Sequence, residues 1–82
     1  MPQLTEGSQI HFVLKNGDHR PAVVVNAWRE NSQYVMEERV NLAVFLDGTN
    51  DAAEFDGMVG WRTSVIHSEE KEPGTWHWPE AD

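Results

Sequence analysis

The chain has 82 residues and no cysteine, so one small domain must fold without a disulfide or a thiolate metal site. Fourteen acidic and six basic side chains give a formal net charge of −8, which disfavours general nucleic-acid binding because phosphate backbones are repelled. No apolar run approaches the roughly 20 residues of a membrane helix and the first residues lack a secretory pattern, so we expect a soluble cytoplasmic protein that does not bind membranes.

The first predicted element is a strand over Gln9–Leu14, where alternate apolar residues mark one buried face. The pair Asn16-Gly17 follows, which tolerates positive φ and is typical of a tight hairpin turn. A second strand is predicted over His19–Trp28, with Pro21 near its start or on an edge because proline lacks the amide hydrogen of a ladder bond. The stretch Ala22–Val25 is apolar on both faces, which indicates the central strand of the sheet.

The second half of the chain continues the same pattern. Arg29–Arg39 is polar and is expected to form a loop or one irregular turn of helix. Alternation resumes in Val40–Leu46 and again in Met58–His67, which predicts a third and a fourth strand. A short fifth strand is predicted over Thr75–Trp78, and Pro79 ends it.

Five short strands separated by turn residues predict an all-β fold, a small SH3-like, partly open five-stranded barrel. The last strand is expected to pair beside the first, which protects both edges from aggregation. In that strand Trp76 and Trp78 share one face and cover the open end, and His77 points to the other face. The chain is expected to form a single domain over 1–82, in which 1–8 is a loose segment.

Three separated motifs span most of the chain between Ile10 and Glu80. They are GxHRPA from Gly17, VNLxVFxDGTND from Val40 and GTWHWPE from Gly74. Together they resemble a group of short bacteriophage and prophage proteins of uncharacterised function. The resemblance implies a viral product in the cytoplasm of a bacterial host or in the virion, and it brings no fold, cofactor or catalytic residue.

The motif inventory favours a protein that is not an enzyme, because it contains neither a nucleophile elbow nor a phosphate-binding loop. No two histidines stand at metal-ligand spacing along the chain; they are His11, His19, His67 and His77. The turn Asp47–Asp51 offers oxygen ligands but lacks the closing glutamate of a calcium loop. The sequence therefore predicts no metal site and no cofactor.

Aromatic, basic, amide and carboxylate side chains near the turns and the last strand form the candidate ligand site. Its members are His19, Arg20, Asn50, Asp51, Trp61, Arg62, Trp76, His77 and Trp78. Aromatic faces bind a base, guanidinium and imidazole groups bind phosphate, and amides or carboxylates bind base edges or ribose. These residue types favour a nucleotide-like ligand. The competing interpretation is that the tryptophans pack in a thin core and the arginines pair with the abundant acids.

The functional hypothesis is a phage-encoded counter-defence protein that sequesters a nucleotide immune signal of the bacterial host without turning it over. The alternative is a protein-interaction module, either a minor virion component or an acidic inhibitor of a host protein. A core of this size also predicts a homo-oligomer, because association buries surface that the single chain leaves exposed.

Overall fold

The computed structural model describes residues 4–29, 31–47, 54–55 and 57–80. Its elements are β1 (Gln9–Val13), β2 (His19–Ala27), α1 (Ser32–Met36), β3 (Val40–Phe45), β4 (Val59–Val65) and β5 (Trp76–His77). Each strand falls inside a segment predicted to form a strand, so the all-β prediction is confirmed. Within the described ranges, α1 is too short to cross a bilayer, and no longer apolar helix is found.

All five strands form one antiparallel sheet in the order β4-β3-β2-β1-β5. The apolar strand β2 is central and β5 pairs beside β1, as the sequence predicts. The sheet does not close into a barrel, because β4 and β5 are its two edges. The segment after β4 reaches β5 through one parallel bridge between His67 and Trp76. The fold is therefore an open sheet whose edges meet at a single residue pair in the described part of the chain.

The hairpin between β1 and β2 forms as its turn residues predict. The amide of Leu14 donates a 2.8 Å hydrogen bond to the carbonyl of Asp18, and Gly17 has a φ of +93°. Pro21 is the third residue of β2 and pairs with β1, but pairing with β3 begins one residue later at Ala22. The missing amide hydrogen therefore lies just before the β2–β3 ladder starts.

The core lies on one face of the sheet, called here the inner face. Alternate residues of the first three strands supply it, and each is at most 2% exposed: Ile10, Phe12, Ala22, Val24, Leu42 and Val44. Trp76 of β5 is 0% exposed, and the half-buried Trp78 packs against this core. The two indole rings meet edge to face at 5.3 Å. The predicted role of both tryptophans as a cover for the core agrees with this packing.

Strand β4 departs from simple alternation because it contains a bulge. Val40 pairs with Val65 and Leu42 pairs with Arg62, so three steps along β4 match two steps along β3. Ser64 at the bulge has a φ of +54°. Side chains before the bulge therefore lie on the opposite face from the one that simple alternation gives them, and Trp61 is 66% exposed.

Within the segment before β1 that is expected to be loose, residues 5–8 form hydrogen bonds with the sheet and with one another, and residues 1–3 lie outside the described part of the chain. The amide of Gly7 donates a 2.7 Å hydrogen bond to the carbonyl of Val24. A carboxylate oxygen of Glu6 accepts a 2.9 Å hydrogen bond from the amide of Ala27. These bonds satisfy backbone groups of β2 that would otherwise depend on water.

The polar stretch between β2 and β3 contains α1, in agreement with the predicted irregular turn. Asn31 caps it, since its side-chain oxygen accepts a 2.8 Å hydrogen bond from the amide of Gln33. The ring of Tyr34 meets that of Trp28 edge to face at 6.3 Å. This contact attaches the helix to the end of β2.

Candidate metal centre

Three histidines and one glutamate meet on the outer face of the sheet, opposite the core. They are His11 of β1, His19 of β2, His77 of β5 and Glu80, and we call them the histidine cluster. One nitrogen or oxygen atom from each residue can be chosen so that all four atoms lie within 4.8 Å of one another. Four groups that commonly bind metals therefore converge, although the histidines do not stand at metal-ligand spacing along the chain.

The register of three adjacent strands brings the imidazoles together. His11 pairs directly with His77 across β1 and β5, and Val13 pairs with His19 across β1 and β2. His19 is therefore a diagonal neighbour of His11 on the same face. Directly opposite residues stand about 5 Å apart and diagonal ones about 7–8 Å apart, distances that long side chains bridge.

Glu80 lies at the centre of the histidine cluster, three residues beyond His77. Its Oε1 atom is 2.7 Å from Nε2 of His77 and 2.8 Å from Nδ1 of His19. Its Oε2 atom is 3.1 Å from Nδ1 of His11. Pro79 fixes φ just before Glu80, and the chain after β5 turns back over the outer face. One carboxylate thus contacts an imidazole from each of three strands.

The histidine cluster is closed at one side and open at the other. His77 is only 2% exposed. The side chains of His11, His19 and Glu80 are 30%, 33% and 36% exposed. An ion or a small ligand can therefore reach the cluster from solvent past these three residues, and His77 forms its base.

The surroundings of the histidine cluster lower the pKa values of both His77 and Glu80. Burial lowers the pKa of His77, although its hydrogen bond to Glu80 and the charge of that carboxylate act to raise it. The pKa of Glu80 falls to about 2, because burial is outweighed by hydrogen bonds from its own backbone amide, from His77 and from His11. Near neutral pH the imidazole of His77 is neutral and Glu80 is ionised, which are the forms that bind metals.

The second ring nitrogen of His77, Nδ1, is buried and has no hydrogen-bond partner among the described residues. When Nε2 donates to Glu80, Nδ1 carries a lone pair without a donor. A buried polar atom left unpaired costs about 1–3 kcal/mol. An apolar side chain would leave no such atom, but it would also lose the 2.7 Å contact of Nε2 with Glu80.

Two further polar residues lie close to the cluster. The Nζ atom of Lys71 is 3.5 Å from Oε1 of Glu80, and Lys71 has a φ of +60° in the left-handed region. His67 lies outside the cluster, with Nδ1 3.7 Å from Glu38 and its ring 4.7 Å from that of Trp76. His67 is therefore a natural control for a role that belongs to the cluster.

The structure divides the predicted ligand set, and two of its members belong to the histidine cluster. These are His19 and His77. Trp78 is half-buried beside the inner face, and Trp76 lies in the core, where its Nε1 donates a 2.8 Å hydrogen bond to the carbonyl of Glu38. Trp76 has no exposed surface with which to contact a ligand.

The remaining members lie apart from the cluster or outside the description. Trp61 and Arg62 belong to β4, at the opposite edge of the sheet from β5. Arg62 lies 3.3 Å from a glutamate carboxylate, and Arg20 lies 3.5 Å from an aspartate carboxylate. Asn50 and Asp51 fall outside the described residues. The arginine contacts agree with the interpretation that these cations pair with acids.

Sequence reasoning missed His11 and Glu80 as site residues. It considered spacing along the chain, whereas the ligand atoms come from three strands and a following segment. A usable signal was present, because His11 and His77 each stand next to a predicted core residue in strands expected to pair. The register that places them opposite each other is needed to turn that signal into a site.

Comparison with known proteins does not indicate a function, so the functional proposal is based on the geometry of the histidine cluster. No family model, no curated protein and no solved structure matches the chain. The fold and the site together define a small open-sheet β protein with a three-histidine, one-glutamate cluster on its outer face. The resemblance to phage proteins stays a prediction.

Proposed function

We propose that the protein binds one divalent transition-metal ion through His11, His19, His77 and Glu80. The observation that carries this proposal is the convergence of three imidazoles on one carboxylate. The proposal replaces the sequence-based expectation of no metal site, which rested on spacing along the chain.

The ligand types indicate which ions the site favours. Imidazole nitrogen suits zinc, copper, iron and nickel, whereas magnesium and calcium prefer oxygen ligands. Zinc–nitrogen bonds of about 2.0–2.1 Å in a tetrahedral site place ligand atoms about 3.4 Å apart. The four atoms already lie within 4.8 Å, so small side-chain rotations bring them to this spacing. Three of the four residues are partly exposed and have room to make them.

Protonation also favours an ion at this place. In the metal-free cluster, each imidazole that donates to Glu80 must carry a proton on the nitrogen facing the carboxylate. For His11 and His19, a shift of that proton to the other ring nitrogen, Nε2, frees Nδ1 as a ligand. Glu80 needs no change because it is already ionised. A metal ion can therefore take the place of the proton between Nδ1 and Glu80 at His11 and His19, while at His77 the proton moves from Nε2 to the buried Nδ1.

The test is titration of an untagged chain with Zn²⁺ by calorimetry and with Co²⁺ by visible absorption. We expect one equivalent to bind. His11→Gln and His19→Gln should each weaken binding more than about tenfold, since even the loss of a residue that supports a ligand weakens metal affinity about 10- to 100-fold. His67→Gln is the matched control and should bind the ion like the unaltered chain.

Two results would overturn the proposal. The first is the absence of saturable binding at one equivalent, in which case the cluster only fastens the GTWHWPE segment to the outer face. The second is an equal loss of affinity in the His67 variant, which would indicate scattered surface binding. Far-UV circular dichroism of each variant separates loss of a ligand from loss of the fold.

The hypothesis of a sequestered nucleotide signal stays a prediction, as do the protein-interaction alternative, the phage origin and the homo-oligomer. The geometric support for the nucleotide hypothesis is weaker than that for the metal site. Trp76 is fully buried, and Trp61 lies on the opposite edge strand from His77. The described members of the predicted set therefore do not surround a common ligand.

A further inference from the structure

An apolar cavity of about 300 Å³ lies on the outer face beside the histidine cluster. We call it the outer-face cavity. Strands β1 and β2 form its floor, and Phe45 of β3 and Pro79 form part of its walls. Phe45 is 45% exposed, so its ring is accessible to a molecule in the cavity.

The outer-face cavity and the histidine cluster share residues. His11 lines the cavity and also contacts Glu80, and Pro79 lines the cavity and directly precedes Glu80. Pro21, another lining residue, is the cross-strand partner of His11. A molecule in the cavity therefore lies directly beside the cluster, in contact with His11.

The size of the outer-face cavity suits a single ring. An apolar cavity of about 150 Å³ in another protein holds benzene, and this one is about twice as large and open at its mouth. Its lining is predominantly apolar, with Pro21, Val23, Phe45 and Pro79 among its residues. These properties favour an aromatic or compact aliphatic body over a polar one.

The charges favour an anionic group at the other end of such a molecule. A divalent ion, the ammonium group of Lys71 and the carboxylate of Glu80 sum to two positive charges, and an imidazole that binds a metal does so as a neutral ligand. A carboxylate ligand reduces that excess and binds zinc-type ions readily. Four protein ligands fill a tetrahedral site, so the carboxylate binds as a fifth ligand from the open side of the cluster, a coordination number that zinc-type ions can adopt.

We infer that the metal site takes a small organic carboxylate, whose charged end binds the ion and whose apolar body occupies the outer-face cavity. This inference rests on the proposed metal site. It assigns Phe45 and Pro79 to the recognition of the apolar body, a role that the metal-binding proposal alone does not give them.

The experiment compares two carboxylates that differ in their apolar part. Protein loaded with Co²⁺ is titrated with acetate and with benzoate, and the visible spectrum of the ion reports binding. Benzoate should bind at least about tenfold more tightly, because its ring leaves water. Phe45→Ala should remove most of that advantage and leave acetate binding unchanged. Trp61→Ala is the matched control, since it removes an exposed aromatic side chain of the same face that does not line the cavity.

The outcomes separate this inference from the proposed function. If Co²⁺ does not bind, the metal site itself fails. If Co²⁺ binds but acetate and benzoate bind equally, the metal site stands and the inference is wrong. If benzoate is preferred but Phe45→Ala has no effect, or Trp61→Ala has the same effect, the assignment of the ring to the outer-face cavity is overturned.

Discussion

Replacing Trp76 with alanine should remove a large part of the free energy of unfolding. The indole is 0% exposed, and its ring lies 5.3 Å from that of Trp78 and 4.7 Å from that of His67. Its Nε1 donates a 2.8 Å hydrogen bond to the carbonyl of Glu38. Alanine removes these contacts together and leaves a cavity where β5 closes the core.

The magnitude follows from the size of the side chain and of the domain. Truncation of a buried tryptophan costs about 3–5 kcal/mol. At about 0.05–0.15 kcal/mol per residue, a chain of 82 residues has a free energy of unfolding of about 4–12 kcal/mol. Trp76→Ala thus removes between about a quarter and all of the free energy of unfolding. Trp76→Phe keeps most of the ring and should lose less, mainly the hydrogen bond, worth about 0.5–1.5 kcal/mol.

Urea unfolding followed by far-UV circular dichroism measures this effect without relying on tryptophan fluorescence. The control is Trp61→Ala, because Trp61 is 66% exposed and its loss should change the free energy of unfolding by no more than about 0.5 kcal/mol. If Trp76→Ala and Trp61→Ala shift the midpoint equally, the assignment of Trp76 to the core is wrong.

Two further predictions concern the N-terminal segment and β4. The amide of Ala27 and then the guanidinium of Arg29 lower the pKa of Glu6 from 4.5 to about 2. The ionised carboxylate therefore stabilises the fold above about pH 4.5, and this stabilisation is lost as the pH falls toward 2. Glu6→Gln should therefore flatten the acid side of the melting-temperature profile, and an unchanged profile would contradict this. Gly60→Ala should destabilise the protein by about 1–3 kcal/mol, since a Cβ there would overlap the buried ring of Phe55. An unchanged urea midpoint would show that the ring moves aside.

Most of the sheet could be predicted because its signals are local. Alternation of apolar residues and the Asn16-Gly17 pair each depend on neighbours along the chain. The bulge in β4 depends on another strand, because the side-chain oxygen of Asn41 accepts a 2.9 Å hydrogen bond from the amide of Ser64. The exposed position of Trp61 follows from that bulge, so alternation alone could not place it.

For the candidate site, the sequence predicted the face of the sheet on which His77 lies, but it did not predict the contacts of that residue. Alternation in the last strand places His77 opposite Trp76, and the structure confirms this. The same argument expects His77 to face outward as an accessible group, whereas Glu80 and two other histidines cover it. Glu80 contacts His11 across 69 positions of the sequence, and no local pattern reports such a contact.

Because its residues come from β1, β2, β5 and the segment after β5, the histidine cluster exists only in the folded chain. An ion bound there stabilises the folded state, by about 2.7 kcal/mol when its free concentration is one hundred times the dissociation constant. That is comparable to the lower end of the loss expected for Trp76→Ala. In the two-residue strand β5, Trp76 closes the core on the inner face, and His77 forms the base of the proposed metal site on the outer face. Because His77 is buried and contacts Glu80, its replacement should change stability even without an ion, whereas His11 and His19 are partly exposed and report more directly on the ion itself.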